Sequence, residues 1–188
     1  THGKTTTASL LAFVLSHAKK EPNYFIGGVS QDLPNSFHVP SIDSGKYFVL
    51  EGDEYDTAFW DKVPKFNHYL PDDTILTSVE FDHADIYADL DAVKKAFSGL
   101  IQRIRVGGKL IACADYADVR ALAREAKVPV LFYGSPSDDG SRVRFTYGDM
   151  RVDEQGITHF SVIDSGKRVG SLRLNIPGKH NVLNALSV

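Results

Sequence analysis

Cysteine is nearly missing from this chain: Cys113 is the single one in 188 residues. No internal disulfide can form, so the stapling that holds small secreted domains together is excluded, and a reducing cytosol is the expected home. Long apolar runs are missing as well. No stretch approaches the roughly 20 residues that cross a bilayer, and no cationic segment followed by an apolar one opens the sequence, so neither a membrane span nor a signal segment is expected. Charge of one sign is not in excess either, with 21 Lys and Arg against 24 Asp and Glu and a net charge of -3. Such a surface has no pull toward a phosphate backbone or anionic lipid, which sets aside nucleic acid and membrane as partners. What is present is an ordinary balance, 43% hydrophobic and 24% charged, enough for a sizeable core and one large domain.

Hydrophobic spacing divides the chain into alternating elements. Leu10, Leu11, Val14, Leu15 and Ala18 recur at helical spacing behind Gly3-Lys4-Thr5, so a helix starts almost at residue 1 and ends near Lys19, before Pro22. Tyr24 to Ile26 is a short strand, and the polar stretch through Ile42 reads as irregular. Lys46 to Leu50 is an apolar run without alternation, as for a strand covered on both faces of a parallel sheet, and Thr74 to Val79 repeats the pattern. Val93, Phe97, Leu100, Ile101 and Ile104 share one helical face closed by Gly107-Gly108. Leu110 to Cys113, Ala117 to Ala126 and Val130 to Tyr133 continue as strand, helix, strand. Beyond residue 134, Arg142 to Tyr147, Met150 to Asp153, Thr158 to Asp164 and Gly170 to Ile176 form an antiparallel meander, and a helix begins at His180. The expected fold is α/β, a mostly parallel sheet of P-loop type flanked by helices, with a smaller antiparallel meander toward the C-terminus.

Four patches carry chemistry. Thr1-His2-Gly3-Lys4-Thr5-Thr6-Thr7 has the form of the end of a phosphate-binding loop. Glycine lets backbone approach phosphate, lysine supplies a cation, the next hydroxyl can ligate Mg²⁺, and the helix start aims N–H groups at the anion. The plainer alternative is a helix start capped by threonine. Glu51-Gly52-Asp53-Glu54-Tyr55-Asp56 directly follows an apolar strand. Ligands gather beside the carboxyl ends of parallel strands, and Glu51 is the candidate for a cation there, the other carboxylates reading as a solvated loop. Glu80-Phe81-Asp82-His83 stands in the same relation to the next strand, where His83 could hold a second cation or a phosphate oxygen. These candidates are expected at one edge of one sheet. In Gly178-Lys179-His180-Asn181-Val182-Leu183-Asn184-Ala185, the asparagine amides present donor and acceptor together, which suits an adenine edge but equally a polar helix start.

Taken in order, these four patches resemble the central ATP-binding domain of the Mur ligases, which build the peptide stem of bacterial cell wall precursors, and the resemblance spans nearly the whole chain. It implies Lys4 on the β- and γ-phosphates with Thr1, His2, Gly3, Thr5 and Thr6 around them. It also implies Thr5, Glu51 and His83 at Mg²⁺, with His180, Asn181 and Asn184 near the adenine of ATP. Lys4, Glu51 and His83 become the catalytic set. The implied chemistry activates a carboxylate as an acyl phosphate, which an amine attacks to give amide, ADP and phosphate. Within the family, Asp53 to Lys62 and Glu80 to Tyr87 look most like the members that join the recycled tripeptide L-alanyl-γ-D-glutamyl-meso-diaminopimelate to UDP-N-acetylmuramate. The relatives that add L-alanine to the same nucleotide sugar are the alternative. The position about fifteen residues beyond His83, where several family members carry a carbamylated lysine, is Ser98 here. Family members also carry an N-terminal domain for the UDP-sugar and a C-terminal domain for the amine, so the expectation is a middle domain truncated at both ends and inactive alone. From other classes, a P-loop phosphotransferase or a noncatalytic nucleotide-binding module fits the same motifs.

Overall fold

The periodic apolar run behind Lys4 winds into α1 (Lys4–His17) in the computed structural model, which describes residues 2–40, 45–81, 86–136 and 143–188. Two compact units result, Gly3–Gly52 and His2 with Asp53–Ser187. In the first, β1 (Asn23–Phe25) pairs antiparallel with β2 (Phe37–His38) and parallel with β3 (Phe48–Leu50). The small residues Ala8 and Ala12 let α1 close onto Tyr24, Ile26, Leu33 and Val49, which form this unit's core. Two expectations are corrected here. The stretch read as irregular contains β2, and β3 is not covered on both faces: Val49 is buried, while Phe48 on the opposite face is 64% exposed. The central strand β1 is covered on one face in the same way, with Tyr24 buried and Phe25 58% exposed.

The second unit opens with a small hairpin, β4 (Asp56–Ala58) and β5 (Asp61–Pro64), followed by a single 3-10 turn at Lys65–His68. Its main sheet uses β6 (Asp73–Leu76), β7 (Lys109–Cys113), β8 (Val130–Tyr133), β9 (Phe145–Val152), β10 (Thr158–Asp164) and β11 (Lys167–Leu174), in the order β11-β10-β9-β8-β7-β6. The ladders from β6 through β9 are parallel and those from β9 to β11 antiparallel, so β9 is the seam between α/β rhythm and meander. The α/β class with a C-terminal meander therefore holds. Helix α2 (Leu90–Gln102) is capped by Asp89, whose carboxylate accepts from Ala92 N at 2.8 Å, and buries Val93, Phe97, Leu100 and Ile101. Those four join Phe66, Leu76, Leu110 and, from α3 (Ala117–Ala123), Val119 and Leu122 in the larger core. Helix α4 (Lys179–Leu186) packs Val182, Leu183 and Leu186 against Cys113, Tyr133 and Phe160.

Several details differ from the sequence reading. Strand β6 stops at Leu76 rather than Val79. The two strands expected within Arg142 to Asp153 are one strand, because Gly148-Asp149 forms a bulge instead of a turn. Asp149 takes a φ of 52° there, and the ladder with β10 shifts register between His159 and Ser161. Finally, β3 and β6 do not share a sheet: β3 pairs within the three-stranded sheet and β6 within the six-stranded one, each at an outer position.

Candidate active site

In the first unit, the site is built at the start of α1. Gly3 caps that helix in left-handed backbone, with φ 78°, and makes no side-chain cap bond. A threonine-capped start is thereby excluded. No acidic residue lies in the first turn, so negative charge at the positive end of the helix comes from outside it. Thr5 Oγ1 donates to Glu51 Oε1 at 2.8 Å, and Gly27 N–H donates to Glu51 Oε2 at 2.7 Å. Glu51 N–H in turn bonds the Phe25 carbonyl at 3.2 Å, so the end of β1 holds both ends of the glutamate. One carboxylate oxygen is thus occupied and the other aimed at the hydroxyl. A hydroxyl and a single carboxylate are hard oxygen donors, in the number that Mg²⁺ takes when nucleotide phosphates and water complete its shell. Thr5 and Glu51 therefore come together, with Lys4 next to Thr5 in the first turn of α1, and the donor set fits a magnesium-bearing phosphate.

The other members of the acidic patch behave differently. Asp53 pairs with Lys65 at 2.6 Å and Asp56 with Lys62 at 2.8 Å. Glu54 is 1% exposed, with the Tyr87 hydroxyl donating to its carbonyl at 2.9 Å. Burial beneath Tyr87 corrects the expectation of a solvated loop at this residue.

In the second unit, functional groups line the carboxyl ends of β6, β7 and β8. His2 is held by the segment beyond β6: its N–H donates to Ser78 Oγ at 3.0 Å, Thr77 Oγ1 donates to its carbonyl at 2.7 Å, and its ring lies 3.6 Å from Glu80 Oε2. Beyond β7, Asp115 accepts from Ser135 N–H at 2.7 Å and meets Lys179 at 3.3 Å. Burial raises the Asp115 pKa, but bonds from Ser135 and Lys179 outweigh it and leave the carboxyl below its ordinary range. Sequence reasoning passed over Thr77, Ser78 and Asp115, although the strand-end rule that selected Glu51 applies to all three. His180 is exposed at the start of α4. Asn181 spends its amide N–H on the Pro177 carbonyl at 2.8 Å, and Asn184 donates to Asn181 Oδ1 at 3.4 Å. The two amides are therefore linked on one helix face. Thr1, Asp82 and His83 lie outside the described residues.

An α/β fold of P-loop type, with a Gly-Lys-Thr helix start whose threonine meets a strand-end glutamate, has the arrangement that phosphate-binding domains of that class use. Comparison with known proteins narrows it: residues 1–188 match the Mur ligase middle domain, and the chain belongs to the Mur ligase family. It is 34% identical over 189 residues to the UDP-N-acetylmuramate--L-alanine ligase of Chlorobium phaeobacteroides, covering 100% of this chain and 37% of that protein. It is also 34% identical over 187 residues to the UDP-N-acetylmuramate--L-alanyl-gamma-D-glutamyl-meso-2,6-diaminoheptandioate ligase of Haemophilus influenzae, covering 99% and 39%. The chain thus spans well under half the length of these curated relatives. Among solved structures, the UDP-N-acetylmuramate:L-alanyl-gamma-D-glutamyl-meso-diaminopimelate ligase from Neisseria meningitides superimposes with a TM-score of 0.82 at 36% identity, over 100% of this chain and 57% of that one.

Proposed function

We propose that this chain is the central ATP-binding domain of an ATP-dependent amide ligase that joins L-alanyl-γ-D-glutamyl-meso-diaminopimelate to UDP-N-acetylmuramate, in the cytoplasmic recycling of cell wall peptide. The observation that carries the nucleotide part is the Thr5–Glu51 pair at 2.8 Å beside an α1 start without acidic residues. In this reading Lys4 neutralises the β- and γ-phosphates, and the backbone from Thr1 to Thr6 surrounds them. Thr5 and Glu51 hold Mg²⁺, with His83 at a second cation, while His180, Asn181 and Asn184 face adenine. When bound, Mg-ATP supplies the phosphoryl group that turns the UDP-N-acetylmuramate carboxylate into an acyl phosphate. The protein's part is charge neutralisation and alignment, which suits a site with a cation, a carboxylate and a helix start.

Flanking domains for the nucleotide sugar and the amine complete the reading, and the domain alone is inactive. The tripeptide is favoured over L-alanine by the runs 53–62 and 80–87 and by the 36% identity to the Neisseria ligase. Relatives that add L-alanine match at 34%, which keeps L-alanine as the second reading. The experiment is a paired assay of the full-length ligase with UDP-N-acetylmuramate and either amine. ADP release that requires the tripeptide supports the proposal, whereas release with L-alanine alone transfers the protein to the second reading.

A further inference from the structure

Lys179 sits at the wrong end of a helix. It opens α4, whose first turn carries no acidic residue, so its charge opposes the positive end of the helix dipole. Asp115 supplies the missing counter-charge from the end of β7, 3.3 Å from Lys179 Nζ. That carboxylate is itself fixed, since Ser135 donates to it through N–H at 2.7 Å and through Oγ at 2.5 Å. Gly134 makes the approach possible, because a Cβ there would lie 2.7 Å from Asp115 Oδ1. Burial lowers the Lys179 pKa, yet the Asp115 bond more than reverses this and the ammonium stays charged.

The rest of α4 is anchored differently. Val182, Leu183 and Leu186 are buried with Cys113 and Tyr133, and Ser187 Oγ donates to the Asn184 carbonyl at 2.6 Å. The Asp115–Lys179 pair therefore acts on the first turn, and from that turn the orientation of the amides is relayed. The Pro177 carbonyl receives Asn181 Nδ2, and Asn181 Oδ1 receives Asn184 Nδ2.

We propose that Asp115 is a positioning residue for the nucleotide base: through Lys179 it seats the first turn of α4 on the ends of β7 and β8, and so sets the direction in which Asn181 and Asn184 offer their amides. The inference rests on the adenine-facing role given to α4 above. An amide turned the wrong way offers a donor where the base presents a donor, so loss of the pair weakens adenine recognition more than it weakens the chemistry.

The test is steady-state turnover of the full-length ligase with ATP and with GTP. Lys179→Met is expected to raise KM for ATP about tenfold with kcat within about twofold, and to lower the preference for ATP over GTP by about the same factor. Lys179→Arg keeps wild-type values, and Asp115→Asn follows Lys179→Met. Unchanged KM and unchanged base preference in Lys179→Met, with only a lower Tm, make the pair structural and overturn the proposal. A wild-type enzyme that uses ATP and GTP alike removes the adenine role of α4 itself, and the Asp115 proposal falls with it.

Discussion

Thr5 and Glu51, 46 residues apart, meet at 2.8 Å because β1 and β3 run parallel. Glu51 follows β3 directly, and the Gly27 amide just beyond β1 takes its second oxygen at 2.7 Å. The glutamate therefore reaches the first turn of α1 with one oxygen already held.

Loss of the Glu51 charge should be felt in turnover and not in folding. Glu51→Gln in the full-length ligase is expected to lower kcat by about 10²- to 10³-fold, the scale of removing one preorganised electrostatic contact. Tm stays near wild type, because Glu51 lies at a half-buried surface position and outside the core cluster of its unit. Wild-type turnover in this variant would remove Glu51 from the phosphate site.

Core truncation has the opposite signature. Leu76 is 3% exposed and packs with Phe66, Val93 and Phe97, so Leu76→Ala should cost about 2 to 5 kcal/mol in denaturant unfolding. Val169, 62% exposed, is the control, and Val169→Ala should stay within about 0.5 kcal/mol.

A third test concerns the turn into β7. A Cβ on Gly108 would overlap the Asp72 carbonyl oxygen, and backbone cannot yield there as a flexible side chain would. Gly108→Ala should destabilise by roughly 3 kcal/mol, while Gly170→Ala, with nothing near its Cβ position, should be close to neutral. Equal unfolding midpoints for the two variants would contradict this packing.

Alkaline pH should erode stability in a defined window. Burial pushes the Cys113 thiol from 9.0 up to about 11. Burial, then the charges of Glu54, Asp56 and Asp53, lift the Tyr87 hydroxyl from 10.0 to about 12. Both groups keep their protons longer when folded, so the folded state binds more protons across this range and stability falls as pH rises. The contribution is complete below pH 9 and lost progressively toward 12. Unfolding midpoints from pH 8 to 11 that stay flat would argue against a neutral, buried Cys113.

Much of this architecture is legible in the sequence where one local signal suffices. The spacing of Val93, Phe97, Leu100 and Ile101 gives the buried face of α2, and Val130 to Tyr133 gives β8 residue for residue. Strand β9 is misread because Gly148-Asp149 carries turn chemistry, yet the Asp149 carboxylate accepts from Ser161 Oγ at 2.8 Å across the ladder and the strand continues through a bulge. Glu51 is visible because an acidic residue directly follows an apolar strand. Asp115 is not singled out, because its meaning depends on Ser135 and Lys179, and neither periodicity nor motif spacing reports contacts between β7, β8 and α4.

The most direct test of the account follows oxygen. UDP-N-acetylmuramate labelled with heavy oxygen in its carboxylate, incubated with the full-length ligase, tripeptide and Mg-ATP, should release phosphate carrying one labelled oxygen, because an acyl phosphate transfers that atom when the amine displaces it. Label in the phosphate that vanishes with Lys4→Ala is the predicted result. Unlabelled phosphate formed alongside the amide would contradict the account.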